Sequence, residues 1–212
     1  MARFLYQTLG IRTQEVVAFP ADIETELIRK SLHILIALVP MLASYHVGAT
    51  LLLVATGTMV YVAAEALRCT GHPVFLISQI TTMASRERDR DKFVLGPVTL
   101  GIGAMLALLL YPDPASFVAI YALAFGDGLA SVVGKLFGRI QIPYTRGKTV
   151  AGTLACFAAV FTVSYRLLPS APMALVVAAT ASVLEALPLR DMDNIVLPLG
   201  TGLVASLLIF IS

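Results

Sequence analysis

AIYALAFGDGLASVVGKLFGR, residues 119–139, decides how this chain is read. With the apolar residues just before it, the stretch reaches the ~20 residues a helix needs to cross a bilayer core. Yet Asp127 stands near its middle. An ionisable group at that depth costs at least ~2.5 kcal/mol on insertion scales, so it needs a reason to be there. Gly126 and Gly128 flank it and loosen the helix. A helix broken at this point would present free backbone N–H groups suited to phosphate or another anion. The plainer alternative is a buried aspartate bonded to a neighbouring helix. The same stretch spaces Gly126, Ala130, Gly134 and Gly138 four apart, a small-xxx-small ladder of the kind that packs helices closely.

Working outward, similar apolar runs recur at 28–45, 48–66, 93–111, 115–137, 150–168, 173–187 and 195–211, the sixth being short. Of the 212 residues, 58% are hydrophobic and 13% charged, about half the charge of a soluble domain. Mean hydropathy is +0.87. Disorder and an ordinary water-facing surface are both excluded. The expected fold is an all-α integral membrane protein of about seven transmembrane helices in one bundle, a single domain over 1–212. A kink is expected at Pro40. Cys69 and Cys156 form no metal knuckle or disulfide framework, and a net charge of +2 gives no reason to expect nucleic acid.

Placing the N-terminus in the cytoplasm puts every Lys and Arg except Arg166 on the inner side, as the positive-inside rule requires. The C-terminus then lies on the opposite side. Residues 1–27 form a cytoplasmic segment without the apolar core of a signal peptide, so the first span is expected to direct insertion. The loop 68–92 holds PVFLISQITTMA, too short to span, then the charged run SRERDRDK. This reads as an interfacial helix with a solvated charge run, or as a flap that handles an anionic substrate.

Several polar residues gather on the cytoplasmic side of this map. Glu65, Glu185 and Asp193, with Asn194 beside it, join Asp127 there. Carboxylates converging near one membrane face look like a Mg²⁺ site, since Mg²⁺ takes one or two carboxylates plus substrate phosphates. The loop 135–149 reads KLFGRIQIPYTRGKT and carries Lys135, Arg139, Arg146 and Lys148 with no acid. Gly147, Thr149, Gly152 and Thr153 supply backbone access and hydroxyls for phosphate oxygens. Walker A spacing fails because Ile142 stands where glycine is needed. Arg29, Lys30 and His33 open the first span. Arg29 and His33, four apart, share a helix face; His33 is not expected to ligate a metal, and His46 and His72 have no partners at ligand spacing.

GDGLASVVGKLFGR, then GKTVAGTLA, then EALPL with DN and a proline after it, resemble the polyprenol kinase family. That family includes dolichol kinase, phytol kinase and CTP-dependent diacylglycerol kinase, and is distantly similar to phosphatidate cytidylyltransferase. ELIRKSLH resembles the family's N-terminal pattern, and Glu65 and Arg68, in AAEALR, its second-span pattern. The resemblance implies a membrane enzyme that moves the γ-phosphoryl group of CTP onto a lipid alcohol with a divalent metal such as Mg²⁺. It implies catalytic roles for Asp127, Arg29 and Lys30. It places the nucleotide on Gly134, Lys148, Thr149, Gly152 and Thr153, to which the reading of the basic loop adds Lys135, Arg146 and Gly147. One departure is Ala151, where the family commonly has glutamate. A cytidylyltransferase making a CDP-lipid and a secondary transporter are the rival readings. The acceptor alcohol and the oligomeric state are not legible.

Overall fold

The computed structural model describes residues 21–85, 92–145 and 147–212. The segment 1–20, the charges at 86–91 and Arg146 lie outside the described residues. The described chain is helical: α1 (Ala21–Leu35), α2 (Leu38–Cys69), α3 (Phe75–Ala84), α4 (Gly96–Leu110), α5 (Ala115–Tyr121), a π-helical turn (Ala122–Asp127), α6 (Gly128–Phe137), α7 (Val150–Leu167), α8 (Ala171–Ala186) and α9 (Asp193–Ile211). Among the described residues, extended pairing is limited to one antiparallel bridge, Gln141 with Thr149.

Among the described residues, four helical stretches are long and apolar enough to cross a membrane: Thr25–Cys69, Ala115–Phe137, Val150–Leu167 and Asp193–Ile211. Three shorter apolar helices, α3, α4 and α8, complete the set. The first stretch has 45 residues, about 67 Å if straight at 1.5 Å per residue, far beyond a ~30 Å core. Two breaks divide it. His46 leaves helical geometry (φ −160°, ψ 98°), and its ring Nδ1 accepts the Ala49 N–H at 3.1 Å.

The other break corrects the expected kink at Pro40. The chain turns earlier, at Ile36 and Ala37, through short i→i+3 bonds such as Ala37 N–H to Ile34 O and Val39 N–H to Ile36 O, both 3.0 Å. Pro40 then falls in the first turn of α2, where a missing N–H leaves no carbonyl unpaired.

The rod from α5 through α6 is the axis of the fold. Its most apolar window is 56% buried, against 33% or less in the other three long stretches. Val118, Ala122, Cys156, Val160, Val177, Ala181 and Leu197 form the core between it and α7, α8 and α9. Ala104, Ala107 and Ile120 join it to α4, together with Val39 and Ala43 of α2. Outward faces are greasy: Leu52, Met59, Leu154, Val183 and Phe210 are all exposed. Leaving such side chains in water forfeits ~1.5–3 kcal/mol each, so the belt suits hydrocarbon.

The glycine ladder has a visible partner. Beside Gly126 lie Val160 and Cys156, beside Gly134 lie Thr149 and Gly152, and beside Gly138 lies Thr149 again. A Cβ on Gly152 would stand 2.6 Å from the Ala130 carbonyl oxygen. The ladder is therefore the seam between the rod and α7. It holds the start of α7, and the loop before it, against the lower half of the rod.

Candidate active site

Asp127 ends the π-helical turn and is 2% exposed. The expected break does not occur. The helix widens by one residue, keeps helical φ and ψ through Asp127 and Gly128, and continues as α6. Gly126 allows this because Val160 and Cys156 approach it too closely for a side chain: a Cβ there would lie 2.9 and 3.2 Å from them. Widened turns of this kind frequently mark functional sites.

Two residues of α1 meet the carboxylate. The Lys30 ammonium donates to Asp127 Oδ2, both groups being buried. His33 Nδ1 lies 3.3 Å from the same oxygen, but its geometry makes no hydrogen bond, so this buried nitrogen has no partner. Three residues apart, Lys30 and His33 share one helix face.

Below Asp127 opens a cavity of about 290 Å³, lined by Asp127, Gly134, Lys135, Gly147, Lys148, Thr149, Gly152, Glu185 and Asp193, with Glu26 and Arg29 of α1. Most of the residues expected from the sequence thus come together. Lys148 donates to Glu185, which also accepts from the Thr153 hydroxyl at 3.5 Å. Burial pulls the Lys148 ammonium down, but Asp127, Glu185 and Asp193 outweigh it and hold its pKa above 10.5. Lys135 pairs with Glu26 at 3.3 Å.

The loop leading to α7 folds back on itself. Ile142 N–H bonds Lys148 O at 2.8 Å, and Val150 N–H bonds Ile140 O at 3.0 Å. Gly147 takes φ +91° to close it, a conformation that favours glycine. Thr149 caps α7 by accepting the Gly152 N–H at 3.2 Å. Gly152 and Gly134 are therefore packing residues as well as cavity residues. Thr153 sits behind the cavity wall, on Glu185.

Three expected residues lie elsewhere. Glu65 is held by Arg68 through two bonds, 2.7 and 2.8 Å, and accepts the Val94 N–H at 2.8 Å. It ties α2 to the segment before α4 and is not part of the cavity lining. Asn194 donates to Gly96 O at 3.2 Å and Thr99 Oγ1 at 2.9 Å, pinning α9 to α4. Among the described residues, no three of His, Cys, Asp and Glu converge as a ready metal-binding group. Glu26 was not anticipated. It accepts from Arg29, and its clue in the sequence is the spacing Glu26, Arg29, Lys30, His33, which one helix face can carry.

The chain is 32% identical over 142 residues to a probable phytol kinase, chloroplastic, of Triticum aestivum, covering 58% of this chain and 47% of that protein. It is 27% identical over 148 residues to phytol kinase 1, chloroplastic, of Arabidopsis thaliana, covering 61% and 49%. A farnesol kinase, chloroplastic, of Arabidopsis thaliana is 33% identical over 82 residues, covering 38% and 27%. The chain is similar to phytol and farnesol kinases of the polyprenol kinase family. It spans about half the length of the curated relatives it matches. No family model and no solved structure matches it. Ala151 lies in the first turn of α7, half-buried, and the carboxylate that engages Lys148 beside it comes from α8 as Glu185.

Proposed function

We propose that the chain is a membrane-embedded kinase that moves the γ-phosphoryl group of CTP to the hydroxyl of a prenyl alcohol. The observation that carries this reading is the recessed Asp127, bonded to Lys30 and opening onto a cavity lined by Lys135 and Lys148. Relatives named phytol kinase and farnesol kinase support the acceptor class. CTP as donor rests on the likeness of the Gly147–Thr153 motif to the family pattern. The topology that goes with it has seven spans, with the N-terminus and the cavity on the cytoplasmic side.

Phosphoryl transfer asks mainly for positioning and charge neutralisation. Lys148, Lys135 and Arg29 receive the phosphates, and Arg146 joins them in this reading. The acceptor oxygen attacks the γ-phosphorus, the bond from that phosphorus to the CDP oxygen breaks, and the alcohol proton passes to Asp127. Lys30 orients Asp127 for that step. Hard carboxylate oxygens suit Mg²⁺. Asp193 lines the cavity without an ion pair among the described residues, so Asp193, with Asp127 or Glu185, would hold the cation. Bound Mg²⁺ would supply charge neutralisation across the phosphate oxygens.

The test is product analysis with the full chain in lipid nanodiscs, Mg²⁺ and γ-labelled CTP, against phytol, farnesol, a long polyprenol and diacylglycerol. Label in a prenyl phosphate, competed by unlabelled CTP more than by ATP and lost in Asp127→Asn, supports the reading. A CDP-lipid product would mean attack at the α-phosphorus and a cytidylyltransferase. Transfer that survives Asp127→Asn would remove Asp127 from the chemistry.

A further inference from the structure

A second cavity, also about 290 Å³, opens beside the first and is different in kind. Its wall is apolar, with Leu32, Ile77, Ile80 and Leu100 among its residues. Arg29 and His33 bring its basic groups, and Tyr61 and Thr81 add hydroxyls to an otherwise apolar lining. Arg29 lines both cavities, so the two meet there, at the residue next to Lys30, which bonds Asp127.

Helix α3 closes this slot. Ile77, Ile80, Thr81 and Ala84 face into it, spaced three, four and seven apart along one helix face. On the other side Phe75, Leu76 and Met83 are exposed. The short helix that reads from sequence as interfacial thus has two apolar sides, one toward the membrane and one toward the slot.

We infer that this slot is the acceptor site, and that it takes the head end of a branched isoprenoid alcohol. Identity of the occupant rests on the kinase reading above. The inference adds where the alcohol lies and what recognises it. At ~30 Å³ per small group in a liquid, the volume holds roughly ten carbon-sized groups, the first two isoprene units. The rest of the tail extends into lipid. The hydroxyl lies at the polar end, where buried His33 Nδ1 and Arg29 Nε make no hydrogen bond, although His33 Nδ1 is 3.3 Å from Asp127 Oδ2. There it meets Asp127 on one side and the transferred phosphate on the other. His33 is a positioning residue for that hydroxyl.

The experiment uses the full chain in nanodiscs with two probes: farnesol as phosphoryl acceptor, and a farnesol analogue carrying a photoreactive diazirine on its second isoprene unit. Ile80→Trp fills the slot, and Leu76→Trp, on the exposed side of α3, is the control. The expected result is a rise of roughly tenfold or more in the KM for farnesol in Ile80→Trp with the KM for CTP nearly unchanged, a size in keeping with altered apolar pockets. Photolabel should fall on α3 and α4 in the wild type and in Leu76→Trp, and be lost in Ile80→Trp. Should Ile80→Trp fail to fold, Ile77→Ala replaces it, and the site of labelling in the wild type decides alone. An active wild type whose label maps to other helices, or whose farnesol KM ignores Ile80→Trp, overturns the slot and leaves the kinase standing. An inactive wild type that is still labelled on α3 and α4 keeps the slot as a prenyl-alcohol site and overturns the kinase. Inactivity with no labelling overturns both.

Discussion

Gly152→Ala tests the seam that builds the site. The added Cβ would stand 2.6 Å from the Ala130 carbonyl oxygen and 3.3 Å from both Gly134 Cα and Thr149 Oγ1. Real Cβ contacts essentially never fall below 3.0 Å, so α7 and the rod must separate by at least ~0.4 Å, the difference between those distances. Overpacking costs about 1–3 kcal/mol. A fixed backbone oxygen cannot rotate away, which puts this case near the upper end. Alanine returns up to ~1 kcal/mol in helix propensity. The net loss is about 2 kcal/mol, or roughly 4–8 °C in Tm for a chain of this size. Thermal unfolding in detergent can be followed by thiol-reactive dye on Cys156, which is buried, in a Cys69→Ser background that removes the exposed thiol. Because the same shift moves Lys148 and Thr149 against Asp127, turnover should fall roughly tenfold, in proportion to the ~10²-fold expected of a 1 Å misplacement. Gly57→Ala is the control, since nothing lies within 4 Å of its added Cβ, and it should be neutral or slightly stabilising. A Gly152→Ala protein with wild-type Tm and turnover would refute the seam.

Other perturbations separate structural from chemical roles. Lys30→Met leaves Asp127 buried without its cation and should destabilise by roughly 3–5 kcal/mol. The double variant with Asp127→Asn should recover much of that in the same dye assay, and an undiminished single variant would deny the pair. Asp193→Asn should weaken Mn²⁺ binding measured by EPR with CTP present. Glu65→Gln should leave Mn²⁺ binding alone yet cost about 1.5–3 kcal/mol of stability, as expected for bonds to a charged group. The reverse pattern would move the metal to Glu65. Lys148 has its pKa raised, so the stability its pair contributes is present below pH 10.5 and lost only as pH rises through the folded value. The Tm gap between wild type and Lys148→Met should therefore stay level from about pH 7 to 9, and a gap closing within that window would contradict the raised pKa.

The helices were legible because each apolar run is long and ends at proline, glycine or charge. The stretch 115–137 has the bounds read from sequence. Asp127 announced itself because a lone acid in an apolar run demands a partner. Which residue would answer it was less visible, since Lys30 is 97 positions away and sits in a sequence that also suits a topology anchor. Glu65 illustrates the limit of a map that records only which side of the membrane a residue is on. Depth and rotation decide contact, and Arg68, three residues on, already offered a local partner. The glycines of GKTVAGT read equally as phosphate approach or close packing, and only the distance to Ala130 shows the second. The apolar slot had no signature at all, because its wall is assembled from α1, α2, α3 and α4, each contributing residues that look like ordinary membrane-facing positions.

The widened turn at Ala122–Asp127 also sets angular phase. One residue more than an α-helix would carry advances everything after it by about 100° around the axis. Upstream, the rod turns Val118 and Ala122 into the core. Downstream, the same rod must turn Ala130 and Gly134 toward α7 while Asp127 faces α1. A regular helix would tie those bearings to one another. The inserted residue uncouples them, so the upper half can be tuned for assembly and the lower half for chemistry. A change in residue count within the turn, unlike a change in side chain, would swing the carboxylate away from Lys30 in a single step.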